Sequence, residues 1–222
     1  MRTENETGID FHRSTKDIAY TREFRDLIRK DPKVIAHFKN LLDRLNNIPL
    51  QELQREMGSE TFAEDSITAR LINTYQWDEE SSRVYYFQLT IGEEQFFVKS
   101  EGVPWRGKGY DEYINTNEVK KRLKEMPWAD TVEFMLGYQD KKGKTLYVSK
   151  WQNLPILREY MSGLDSEDDQ SELRELDQKV RQLQSLLPEF HDLTKQNMFY
   201  DARSKKIILF DLFTESQDLH RR

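Results

Sequence analysis

The chain has 222 residues, enough for one domain or two small lobes with a usable core. Hydrophobic residues make up 36% and charged residues 33%, and twelve Phe, ten Tyr and four Trp exclude a disordered composition. The absence of cysteine excludes disulfides and thiolate metal sites, and the net charge of −6 argues against a dedicated nucleic-acid partner. No apolar run approaches the length of a membrane span, so no membrane contact is expected, and the lack of cysteine fits a cytoplasmic location.

Residues 1–13 read as a polar, disordered arm. Residues 14–57 read as a helical extension in three pieces. The first, 14–30, places Ile18, Phe24, Leu27 and Ile28 at helical spacing. A second helix starts at Pro32, with Val34, Ile35, Phe38, Leu41, Leu42 and Leu45 on one broad stripe, and a short third helix ends at Gly58. The polar stretch 58–66 is the expected boundary. Beyond it the period changes to that of strands: 69–77, 84–91 and 94–99 are runs rich in Tyr, Phe, Ile and Val, joined by tight turns. The resulting antiparallel meander ends on Lys99. A helix is expected over 110–126, closed by Pro127, then two strands over 131–138 and 145–151, completing a five-stranded sheet. After a short helix at 155–161 and an acidic loop at 163–170, residues 171–187 space Leu173, Leu176, Val180, Leu183 and Leu187 by three or four, a clear amphipathic helix.

Pro188 delivers the chain into Phe190-His-Asp-Leu-Thr-Lys-Gln-Asn197, followed by two apolar runs around the polar turn 201–206 and then Asp211. Such a hairpin would hold Asn197 at its start and Asp211 at its exit. Two oxygen-bearing side chains at one end suit a hard cation such as Mg²⁺. The set of Asp192, Asn197 and Asp211 resembles the catalytic loop and metal loop of the protein-kinase-like superfamily. Its Asp-Leu-Thr-x-x-Asn wording looks like the small atypical kinases of RIO type. Three departures stand out: Phe190-His191 before the Asp, Lys195 three residues after it instead of two, and Leu212-Phe213 in place of Phe-Gly.

The resemblance implies an α+β, two-lobed fold, with residues 67–151 as the N-lobe and 152–222 as a reduced helical C-lobe. It implies ATP and Mg²⁺ as cofactors and phosphoryl transfer as the activity. Asp192 would be the catalytic Asp; Asn197 and Asp211 would hold metal; Lys99 would neutralise phosphate charge. Glu118 is the expected partner of Lys99, with Glu112 as its competitor. Lys195 would meet the γ-phosphate, and the hinge through Ser149 and Trp151 would meet the adenine. The helices of 14–57 are expected to pack on the kinase-like body, in cis or exchanged between protomers, and a protein partner or second copy would cover the reduced C-lobe.

Two other readings compete. A pseudokinase, sensing nucleotide or binding protein without turnover, fits the acidic turn 78–83 in place of glycines and the altered Leu212-Phe213. A P-loop fits Gly102-Val-Pro-Trp-Arg-Gly-Lys108, but Gly109 replaces the metal-binding Ser/Thr and the preceding strands read as hairpins, not βαβ units.

Overall fold

The structure is a computed structural model and describes residues 18–20, 26, 50–64, 67–76, 83–101, 108–139, 145–164, 166, 169–190 and 192–212. It divides into two compact units, Met1–Tyr113 with Glu133–Trp151, and Ile114–Val132 with Gln152–Arg222.

The first unit is built on a seven-stranded sheet in the order β1-β7-β8-β5-β4-β3-β2. Its strands are β1 (Ile18–Tyr20), β2 (Glu60–Glu64), β3 (Ile67–Gln76), β4 (Arg83–Ile91), β5 (Glu94–Glu101), β7 (Phe134–Gln139) and β8 (Thr145–Lys150). Every neighbouring pair is antiparallel. The five expected strands form the contiguous middle, and a short strand is added at each edge. Gly92 opens the turn from β4 to β5 at φ 60°, a value glycine tolerates and a two-residue hairpin with Gly first requires.

Alternation does the sorting on this sheet. Leu71, Phe87, Val98 and Val148 lie opposite one another across four strands, and all four are 0% exposed. Burying each such side chain is worth about 1.5–3 kcal/mol. Lys99, one residue past Val98, therefore points to the other face, in register with Tyr86 on β4 and Tyr147 on β8.

Two expectations for the amino-terminal part are corrected. Ile18–Tyr20 is a strand paired with Leu136–Tyr138, not part of a helix. The stripe is sparse there: five residues lie between Ile18 and its next member, Phe24, too wide a gap for one turn of helix to bridge. The stretch 58–66, read as a boundary, contains β2, whose Phe62 pairs with Ala69 at the sheet edge. Helix α1 (Leu50–Arg55) falls where a third helix was expected. The first two expected helices lie outside the described residues except for 18–20 and 26, and so does the acidic turn, apart from Arg83.

Helix α2 (Lys108–Arg122) begins in the first unit and ends in the second, followed by a 3₁₀ turn, Leu123–Glu125. The rest of the second unit comprises β6 (Ala129–Thr131), α3 (Leu157–Ser162), α4 (Asp169–Leu186), β9 (Met198–Asp201) and β10 (Lys206–Leu209). The expected hairpin is β9 and β10, antiparallel, with Ile207 opposite Tyr200. The strand expected over 131–138 is instead two: β6 pairs in parallel with β10, and β7 belongs to the other sheet. Leu176, Val180 and Leu183 on α4, with Leu187 just past its end, join Met198, Ile207 and Leu209 in one buried core. Helix α4 starts at Asp169, two residues before the expected Ser171. Ser166 and Asp169 cap it reciprocally, Ser166 N–H donating to Asp169 Oδ2 and Asp169 N–H to Ser166 Oγ. Those hydrogen bonds hold the Asp169 carboxyl below its ordinary range.

Glu172, one turn into α4, accepts from two tyrosines, Tyr160 Oη at 3.0 Å and Tyr200 Oη at 3.3 Å. Burial and the nearby carboxylate push the Tyr200 hydroxyl from 10.0 up to about 12. The neutral phenol is thus the form the fold favours. Its contribution is fully present below pH 10 and is lost as pH rises through about 12. Denaturant unfolding across that window is expected to show a steeper loss of stability in the wild type than in Tyr200→Phe. Parallel pH profiles for the two proteins would refute this reading of Tyr200.

Candidate functional site

The strand-borne lysine has a carboxylate partner, and it is Glu112. Lys99 Nζ lies 3.2 Å from Glu112 Oε2, with side-chain exposures of 7% and 3%. Helical geometry explains why Glu118 does not take this place. Among the described side chains of α2 and its 3₁₀ extension, the buried ones are Glu112, Asn115, Thr116, Val119 and Leu123, spaced at three, four and seven as one face requires. Glu118 lies six residues past Glu112, about 240° around the helix at about 100° per residue. It is 59% exposed and pairs with Lys121 at 2.8 Å. Proximity in sequence to Val119 was misleading, because adjacent helical residues face different ways.

In the second unit, Asp192 and Asn197 meet. Asn197 Nδ2 donates to Asp192 Oδ2 at 3.0 Å and to the Asp192 carbonyl at 2.8 Å. Thr194 N–H donates to the same carbonyl, and Asn197 N–H to Thr194 O, winding the loop into a tight turn that ends in the 3₁₀ segment Lys195–Asn197. Phe190 and Leu193 are buried, and Gln184 Nε2 on α4 donates to the Leu193 carbonyl, so the loop is fixed from beneath. Asp192 itself is exposed.

The hairpin ties the second acid to this loop. Phe210 N–H donates to the Asn197 carbonyl, placing Asp211 one residue beyond a direct link to Asn197. Asp211 has φ 56°, in the left-handed region that costs a non-glycine residue energy and that Asp tolerates better than most. Leu212 is 1% exposed, and its carbonyl accepts from Asn115 Nδ2 at 2.8 Å. Asn115 was not foreseen. Its signal was available: a polar residue at i+3 from Glu112 on the buried stripe needs a partner.

The other expected residues fall as follows. Lys195 Nζ is 2.5 Å from Asp177 Oδ1, an ion pair with α4. Ser149 is buried inside β8, opposite Phe97 and Phe134. Trp151 N–H donates to Gln95 O, so that backbone donor is already used. Most of the P-loop-like stretch, 102–107, lies outside the described residues, while β5 before it is antiparallel to both neighbours, unlike a βαβ strand. Asp192 and Lys195 line a groove of about 670 Å³ with residues of α3 and α4.

Among the described residues, no three His, Cys, Asp or Glu side chains converge as a metal cluster. A cation held partly by phosphates needs fewer protein ligands, one or two hard oxygens. Asn197 fits that role: its Nδ2 is committed to Asp192, which leaves Oδ1 as the atom open to a cation. Asp211 carries a carboxylate that could serve as the second such oxygen. No described helix is long and apolar enough to cross a membrane.

No family model matches the chain, and no curated protein matches it. Solved structures that match include two described as kinases and one bound to AMP-PNP. The chain is similar to the kinase PK-1 of Cydia pomonella granulovirus, with 18% identity, a TM-score of 0.39, and 64% of this chain covered. It is also similar to vaccinia related kinase 3 (16% identity, TM-score 0.36, 69% covered) and to Rad53 in complex with AMP-PNP (17%, 0.38, 65% covered). The matches span 50%, 50% and 38% of those three chains, so the chain corresponds to half or less of their length.

Proposed function

We propose that the chain is a phosphotransferase of the protein-kinase-like superfamily, using ATP and Mg²⁺. The observation that carries this reading is the buried Lys99–Glu112 pair, joining the third meander strand to the following helix. A strand lysine oriented by a helix glutamate is the device by which kinases hold nucleotide phosphates. The hydrogen-bonded Asp192–Asn197 loop and the left-handed Asp211 support it.

Bound ATP and Mg²⁺ would supply the transferable phosphoryl group and a counter-charge for it. Lys99 neutralises phosphate oxygens, and Glu112 keeps its ammonium oriented. Asn197 Oδ1 and the Asp211 carboxylate would hold the cation. Asp192 accepts the proton of the attacking hydroxyl. Positioning and charge neutralisation account for most of such catalysis.

Thermal unfolding tests the reading. ATP with Mg²⁺ at a hundred times its Kd should stabilise by about 2.7 kcal/mol, a rise of roughly 5–10 °C for a chain of this size. In Asp211→Asn, which keeps a residue tolerant of the left-handed backbone, the Mg²⁺-dependent part of that rise should vanish. Unchanged melting with every nucleotide, with and without Mg²⁺, would sink the proposal. A nucleotide shift without turnover would instead favour the pseudokinase reading.

A further inference from the structure

The groove beside Asp192 carries cationic charge that its own structure leaves unused. Helix α3 contributes Arg158, helix α4 contributes Asp177, Arg181 and Gln184, and the loop adds Asp192 and Lys195. Lys195 is neutralised by Asp177, and Asp192 is engaged by Asn197. Elsewhere in this unit Lys179 is paired with Glu175, and Arg122 with Glu189. Among the described residues the guanidinium groups of Arg158 and Arg181 have no ion-pair partner, although the chain carries a net charge of −6.

Two guanidinium forks on different helices suit a particular anion. One fork saturates a carboxylate with two parallel hydrogen bonds, whereas a terminal phosphate has three oxygens and accommodates two forks. The groove is open to solvent and about 670 Å³, room enough for a small phosphate ester. We propose that the phosphoryl acceptor is a small phosphate monoester bearing a free hydroxyl. Arg158 and Arg181 hold its phosphate, and its hydroxyl is presented to Asp192.

The acceptor's role rests on the phosphotransferase reading; the anion site does not. In the transfer, the acceptor oxygen bonds to the γ-phosphorus of ATP, and the bond from that phosphorus to the β–γ bridging oxygen breaks. ADP leaves with that electron pair. The hydroxyl proton passes to the Asp192 carboxylate and then to water.

The test is calorimetric titration of the full chain with inorganic phosphate and with glycerol 3-phosphate, at constant ionic strength set with chloride. Saturable binding is expected in the wild type, weakened about tenfold or more in Arg158→Gln and in Arg181→Gln, and lost in the double variant. Both arginines are exposed, so the variants should melt as the wild type does. Mg²⁺-ATP affinity should be unchanged in all of them, which separates this site from the nucleotide phosphates. Absence of saturable phosphate binding, or equal affinity in the double variant, would overturn the proposal. Tighter binding of a Glu-rich peptide than of either phosphate would also overturn it, assigning the groove to an acidic protein segment. Arg-dependent phosphate binding in a wild type that binds no nucleotide would leave the anion site standing and remove the phosphotransferase reading.

Discussion

Glu112→Gln is expected to lower the stability of the protein by about 1.5–3 kcal/mol, the worth of a hydrogen bond between charged groups. The pair it breaks is almost wholly desolvated, with side-chain exposures of 7% for Lys99 and 3% for Glu112. Glu118→Gln, in contrast, should stay within about 0.5 kcal/mol of the wild type, because that carboxylate is a solvated surface group. Denaturant unfolding of the two variants side by side measures the difference. A further variant separates charge from packing. Lys99→Met, which keeps the length of the side chain and removes its charge, should abolish nucleotide binding. Equal stability of Glu112→Gln and Glu118→Gln would show that the buried pair has no structural weight.

That contrast also marks how far the sequence could be read. The central strands were legible because β-branched and aromatic residues alternate over long runs punctuated by tight turns. The hairpin 198–209 and the helix α4 were legible for the same reason, each carrying a period that only one element satisfies. Edge strands β1 and β2 were not. They are three and five residues long, and Glu60, Thr61 and Glu64 give β2 no apolar run to detect. What makes them strands is a neighbour with unpaired backbone groups, which is a property of the sheet and not of the segment.

The site followed a similar division. Asp192, Asn197 and Asp211 are singled out by the kinase-like resemblance; the hairpin, legible from its two apolar runs, ties Phe210 N–H to the Asn197 carbonyl. The partner of Lys99 required a helical phase. With the helix boundaries set two residues off at the start, two glutamates competed; the buried stripe through Asn115, Val119 and Leu123 settles the phase. Arg158 and Arg181 lie 23 positions apart with no pattern linking them, and only the packing of α3 near α4 turns them toward one groove. The left-handed backbone of Asp211 has no sequence signature at all, since glycine, the residue that usually signals it, is absent there.

The largest kinetic effect is expected from Asp192→Ala. Asp192 is exposed and contributes one side-chain hydrogen bond, its Oδ2 accepting from Asn197 Nδ2. The truncation removes that bond and leaves the second, because Asn197 Nδ2 also donates to the Asp192 backbone carbonyl at 2.8 Å. Thr194 N–H and the Phe210 N–H to Asn197 carbonyl bond likewise involve only backbone atoms at their acceptors. The loop should therefore keep its shape, and stability should change by no more than about 0.5 kcal/mol. Nucleotide affinity should be retained, since Lys99, Asn197 and Asp211 are untouched. Only the proposed proton acceptor is gone, a loss worth about 10²–10⁴ in rate. Mg²⁺-dependent ADP formation, read together with nucleotide Kd, checks the assignment. Asn197→Ala makes the comparison decisive: it removes both side-chain bonds and the proposed cation oxygen, so affinity for Mg²⁺-ATP should fall along with turnover. If Asp192→Ala turns over as fast as the wild type, the proton-accepting role belongs to another residue.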